Sequence, residues 1–103
     1  MNKIRITILT GPYEGNSYEF EYDITIGRDI NNDLAFPLDL TTSRKHAKLT
    51  FNNKNLFLTD LASTNGTFII IKNKMEKIQP NKDINLTLPC IVKIGNTTML
   101  ISY

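Results

Sequence analysis

One cysteine, Cys90, and one histidine, His46, stand in a chain of 103 residues that has no tryptophan and only five glycines. A single thiol excludes an internal disulfide framework and fits a reducing compartment, so a cytoplasmic location is expected. With no second histidine or cysteine there is no metal-ligand spacing, and neither a metal nor a cofactor is expected. No glycine-rich loop of the nucleotide-binding kind is present, and the scattered carboxylates form no catalytic run. An enzyme needs convergent acids, bases or nucleophiles, so the chain reads as a binding protein and not an enzyme. Long apolar runs are missing too. The longest, Thr67 to Ile71, is strand-sized, far short of the roughly 20 residues of a membrane helix. The first residues, Met1 to Leu9, alternate charged and apolar character and are not a signal peptide. Charge of one sign is also scarce: 12 Lys and Arg against 10 Asp and Glu leave +2 with no basic block. That is a poor footprint for nucleic acid.

What is present is an ordinary globular composition, 41% hydrophobic and 21% charged, too apolar for a disordered chain. The length suits one domain, residues 1–103, that buries roughly 60–68% of its unfolded surface. The dominant pattern has a period of two. Ile4, Ile6 and Ile8 alternate with Arg5 and Thr7, Tyr18, Phe20 and Tyr22 with Glu19 and Glu21, and Ala47, Leu49 and Phe51 with Lys48 and Thr50. Turn clusters separate such pieces, at 11–16, 52–55, Asn73-Lys74 and Gly95-Asn96-Thr97. Ten or eleven short strands at this spacing, with no amphipathic helix, predict an all-β sandwich of two twisted sheets. Function then belongs to the loops.

Three loops hold the unusual residues. Gly27-Arg28 follows Ile24-Thr25-Ile26. Ser43-Arg44-Lys45-His46 precedes a strand. Asp60 to Thr67, containing Ser63-Thr64-Asn65-Gly66, lies between two apolar strands. Together they offer guanidinium groups, hydroxyls, an amide and main-chain N–H groups, the donor set that a phosphate dianion wants. The competing reading of Arg28 is a surface arginine paired with Asp29 or Asp33.

These motifs resemble the forkhead-associated (FHA) domain, a phosphothreonine-peptide-binding module. The family signature is Gly-Arg, then Ser-x-x-His, then Ser/Thr-x-Asn-Gly-Thr. Here it reads Gly27-Arg28, Ser43 to His46 and Ser63 to Thr67, in the same order, with 16 residues from Gly27 to Ser43 and 22 from Ser43 to Asn65. Asn32-Asp33-Leu34 is similar to the family's Asn-Asp-Ile segment, and the flanking strands extend the likeness over nearly the whole chain. Departures are Lys82-Asp83 where Gly-Asp is usual and Asn73-Lys74 where Asn-Gly is common.

The resemblance implies an eleven-stranded FHA-like sandwich whose loops at one end hold a phosphopeptide. Arg28, Ser43 and Thr64 match positions that grip the phosphate, with Arg44 assisting, and Asn65 matches the residue that bonds the peptide main chain. Gly27, His46 and Gly66 match positions that shape the loops. The expected partner is a Thr-phosphorylated protein or peptide, with a Ser/Thr kinase or its substrate as typical company. No nucleic acid or membrane is expected, and the chain is expected to be a monomer. The alternative is a phosphate-independent interaction or oligomerisation module on the same sandwich. His46 is expected to tie loops together, and Cys90 to be a buried small hydrophobe.

Overall fold

The structure, a computed structural model, describes residues 3–103; Met1 and Asn2, the start of the alternating first segment, lie outside it. Among the described residues there are eleven strands and no helix. They are β1 (Ile4–Thr10), β2 (Ser17–Phe20), β3 (Ile24–Gly27), β4 (Leu34–Ala35), β5 (Ala47–Asn52), β6 (Asn55–Asp60), β7 (Thr67–Ile71), β8 (Lys74–Lys77), β9 (Ile84–Leu86), β10 (Cys90–Ile94) and β11 (Thr97–Ser102). One sheet has the order β2-β1-β11-β10-β7-β8 and the other β4-β3-β5-β6-β9. Every pairing is antiparallel except the two-residue contact of β4 with β3.

The alternation explains how the sheets stack. Ile4, Ile6 and Ile8 are buried, while Arg5 is exposed and Thr7 half-buried. Met99 and Ile101 on β11 and Val92 and Ile94 on β10 extend the same inner face. Ile24, Ile26, Leu49 and Leu58 answer from the other sheet, and Phe36, fully buried, closes the end below β4. Burying each such side chain contributes about 1.5–3 kcal/mol, so this two-layer core holds the sandwich without cross-links.

Several boundaries differ from the sequence reading. β2 stops at Phe20, leaving Tyr22 exposed. The β7–β8 reversal falls on Lys72-Asn73, one residue earlier than composition suggests. Both residues have positive φ, 51° and 65°, as a two-residue hairpin loop of the twist-matched kind requires. Cys90 is half-buried and packs against the core edge instead of lying within it.

Candidate functional site

The loops after β3, before β5 and between β6 and β7 are joined to one another by main-chain and side-chain bonds. Gly27 makes the first joint possible. Its φ is ordinary; what it supplies is space, since a Cβ here would stand 2.1 Å from the Arg44 carbonyl oxygen. The two loops therefore lie in contact. The Arg28 N–H donates to the Ser43 carbonyl at 2.9 Å and the Asp29 N–H to the Arg44 carbonyl at 3.2 Å. The Asn32 side-chain amide adds a staple, donating to both the Asp29 and Arg44 carbonyls at 2.8 and 2.7 Å.

The half-buried Arg28 side chain is oriented by one bond, Nε–H to the Thr42 carbonyl at 3.1 Å. The terminal NH2 groups lie outside that bond, and a guanidinium keeps four more N–H donors there. None of the ion pairs among the described residues involves Arg28. The neighbouring carboxylates are engaged elsewhere. Asp29 accepts the Asn31 N–H, and Asp33 accepts the Thr25 N–H and hydroxyl. The paired-surface-arginine reading is therefore set aside.

Ser43 joins the second loop to the third. Its Oγ accepts the Thr64 N–H at 2.9 Å, which leaves its own O–H free to donate. Its N–H donates to His46 Nδ1 at 3.0 Å. That bond assigns the tautomer, with the proton on Nε2, which donates to the Gly66 carbonyl at 2.9 Å. His46 is fully buried and bridges the two loops. Burial pushes its pKa below the usual histidine value, and the Gly66 carbonyl and the Asp60 carboxylate do not reverse this.

The third loop is folded around Asp60, which is buried and accepts the Ser63 hydroxyl, the Ser63 N–H and the Thr67 hydroxyl. Ser63 Oγ in turn accepts the Gly66 N–H at 3.0 Å. Gly66 has φ +87°, a left-handed conformation that favours glycine. The bend leaves Thr64 and Asn65 exposed, with Asn65 donating one amide hydrogen to the Thr41 carbonyl at 2.9 Å. Its amide oxygen and second N–H remain for another partner. Lys77 crosses beneath: its Cε lies 2.7 Å from where a Gly66 Cβ would stand. The Arg44 and Lys45 side chains are exposed beside Ser43.

Asp39 was not singled out from sequence. It is buried between the second loop and the β10–β11 turn, accepting the Thr41 N–H and hydroxyl, the Asn96 N–H and the Thr97 hydroxyl. Burial alone would raise its pKa, but those four donors outweigh it and hold the carboxyl below its usual value. Only the Asp39-x-Thr41 spacing, which suits an Asx turn, carried a signal. Asn32 and Asp60 were likewise not assigned positioning roles. The two buried carboxylates, Asp39 and Asp60, are occupied by donors, Asp60 from its own loop and Asp39 from its own loop and the β10–β11 turn. The rim therefore presents cations, hydroxyls and an amide. Burial pushes the Cys90 thiol up to about 11, which favours the protonated form at neutral pH.

His46 yields a pH prediction. Its folded pKa lies below the unfolded value of 6.5. As pH falls through that value the unfolded chain takes up the proton first. Its contribution is complete above about 6.5 and is lost from there down to the folded pKa. The melting temperature of the wild type should fall across this window. His46→Ala should melt lower at neutral pH, because the Ser43 N–H and the Gly66 carbonyl lose their partner, and should show a flatter profile. Thermal melts across the range check this; parallel profiles would remove His46 from the tie.

A family profile for the FHA domain matches residues 24–95. The FHA domain-containing protein At4g14490 of Arabidopsis thaliana is 26% identical over 103 residues. That alignment takes in 97% of this chain and 26% of the relative, so the chain spans about a quarter of its length. The solution structure of the FHA domain of an Arabidopsis thaliana hypothetical protein superposes with a TM-score of 0.87 at 26% identity, covering 99% of this chain and 86% of that one. The N-terminal FHA domain of S. cerevisiae Rad53p, solved with a phosphothreonine peptide, superposes with a TM-score of 0.82 at 20% identity, covering 96% and 91%. With the family match spanning more than half of the residues and the same sandwich in the solved relatives, this chain belongs to the FHA domain family.

Proposed function

We propose that the chain is a phosphothreonine-dependent binding module that takes a phosphorylated threonine in an extended segment of a signalling partner. One observation carries the reading: Arg28, in no ion pair among the described residues, is held to the loop of Ser43, and Ser43 is held to Thr64, so three donors share one rim. A phosphothreonine brings about −1.5 to −2 charges and three acceptor oxygens. Arg28 supplies the forked cation, the Ser43 and Thr64 hydroxyls supply neutral donors, and Arg44 adds a second positive charge. Asn65, with half of its amide uncommitted, bonds the peptide main chain. Gly27, His46 and Gly66 hold the three loops in register.

Charge-assisted hydrogen bonds contribute roughly 1.5–3 kcal/mol each. Lost freedom of peptide and side chains removes much of the sum. Binding is therefore moderate, reversible and switched off by dephosphorylation. A pocket for the threonine methyl contributes only about 0.8 kcal/mol, so preference over phosphoserine needs ordering of the peptide backbone as well. Family membership and the phosphothreonine complex of the Rad53p domain support the same reading. A Ser/Thr kinase or its substrate is the expected partner.

The test is retention of a degenerate phosphothreonine peptide library on the immobilised chain, beside the same library after phosphatase. Retention that disappears with the phosphate is expected. Equal retention of both would show that the rim reads something else.

A further inference from the structure

A sheet covered on one face reads as an alternation of apolar and polar residues, whereas a continuous apolar strand is covered on both faces. β7 is of the second kind: Phe68, Ile69, Ile70 and Ile71 follow one another. Ile69 packs against the core. Phe68 and Ile70 point the other way, onto the outer face of the six-stranded sheet.

Strand register turns this into a continuous surface. Leu100 stands opposite Ile91, Ile91 opposite Ile70, and Ile70 opposite Met75. None of the four belongs to the core cluster. They make a straight apolar row across β11, β10, β7 and β8, about 14 Å wide at the usual strand spacing. Thr7 of β1 ends the row. Leu100, Ile91 and Ile70 are half-buried, and Met75 is 55% exposed.

The next row on the same face runs Thr98, Lys93, Phe68, Lys77. Lys93 Nζ lies 5.9 Å from the Phe68 ring centroid and donates one hydrogen to the Gly95 carbonyl. Two donors remain on it. The apolar row is thus bordered on its loop side by two ammonium groups. The one carboxylate registered on this face among the described residues is Glu19, on the far edge strand, and it is paired with Lys3 and Arg5 at 3.1 and 2.8 Å.

We propose that the outer face of the six-stranded sheet docks a segment of another protein, one presenting an apolar strip with carboxylates along one side. The charges choose this occupant. A second copy of the chain would bring lysines or neutral residues to Lys93 and Lys77, because among the described residues the face registers no carboxylate besides the paired Glu19. Anionic lipid would meet the lysines, but a row in which Leu100, Ile91 and Ile70 are half-buried has little beyond Met75 to insert into a bilayer. The surface does not include the residues proposed to grip phosphate, so occupancy should not need a phosphate.

The test is selection of phage-displayed random dodecapeptides on the wild-type chain. Enriched clones should combine Leu, Ile or Phe with Asp or Glu. Synthetic versions should bind Ile91→Lys and Lys93→Glu about tenfold or more weakly, and a saturating phosphothreonine peptide should not displace them. Lys93→Glu keeps the test valid should Ile91→Lys fail to fold. Clones that lack acidic residues, or that bind Lys93→Glu as well as wild type, overturn the proposal. So does sedimentation that finds a wild-type dimer dissociated by Ile91→Lys, which assigns the face to self-association. Co-sedimentation with phosphatidylserine vesicles that Lys93→Glu abolishes overturns it in favour of lipid.

Discussion

Arg28→Ala is expected to abolish phosphothreonine-peptide binding while leaving the fold in place. The terminal NH2 groups of Arg28 are outside its one internal bond, so the substitution removes the cation and most of its donors from the ligand side. Two charge-assisted bonds at roughly 1.5–3 kcal/mol each make the loss more than about 100-fold. The structural cost is smaller, a single bond to the Thr42 carbonyl at a partly exposed position, on the order of 1 kcal/mol. Arg28→Lys should recover only part of the affinity, because an ammonium restores charge without the planar fork. Ser43→Ala should weaken binding less than Arg28→Ala, since it removes one neutral donor. Calorimetry on variants with checked melting curves separates these cases. A folded Arg28→Ala that binds as wild type would refute the assignment.

Gly27→Ala is the second large effect, and it acts on stability and binding together. The added Cβ would stand 2.1 Å from the Arg44 carbonyl oxygen and 2.8 Å from the Asn32 side-chain nitrogen. The oxygen belongs to backbone and has no rotamer by which to retreat. The first two loops must part, losing the Asp29-to-Arg44 bond and the Asn32 staple. Overpacking of this kind costs about 1–3 kcal/mol, sometimes more, and the parted loops no longer hold Arg28 against Ser43. A lower denaturant midpoint with weakened peptide binding is expected. A variant that matches wild type in both would show that the close contact at Gly27 does not set the rim.

Much of the sandwich was legible because its signal is local. Ile4, Ile6 and Ile8 carry their own period, and the two-residue reversals carry their own turn residues. Where a turn rests on the backbone alone the reading slipped: Lys72 adopts positive φ with no glycine to announce it. The rim was legible as three motifs, and the structure joins them through Ser43. The residues that position them were not, because their partners are remote in sequence. Asp39 is bonded to Asn96 and Thr97, 57 and 58 positions away. Asn32 meets the Arg44 carbonyl, a contact that no composition marks. Asp60 was visible only as the strand end before the loop, although it organises Ser63 and Thr67. The outer apolar row exists only once the register is known, since its four residues come from four strands.

The most direct measurement is amide chemical-shift mapping of the isotope-labelled chain with a phosphothreonine peptide and its dephosphorylated twin. Shifts concentrated at Arg28, Ser43, Arg44, Thr64 and Asn65 with the phosphorylated peptide, and absent with its twin, are the predicted result. Equal shifts with both peptides, or shifts that leave these five amides still, would contradict the account.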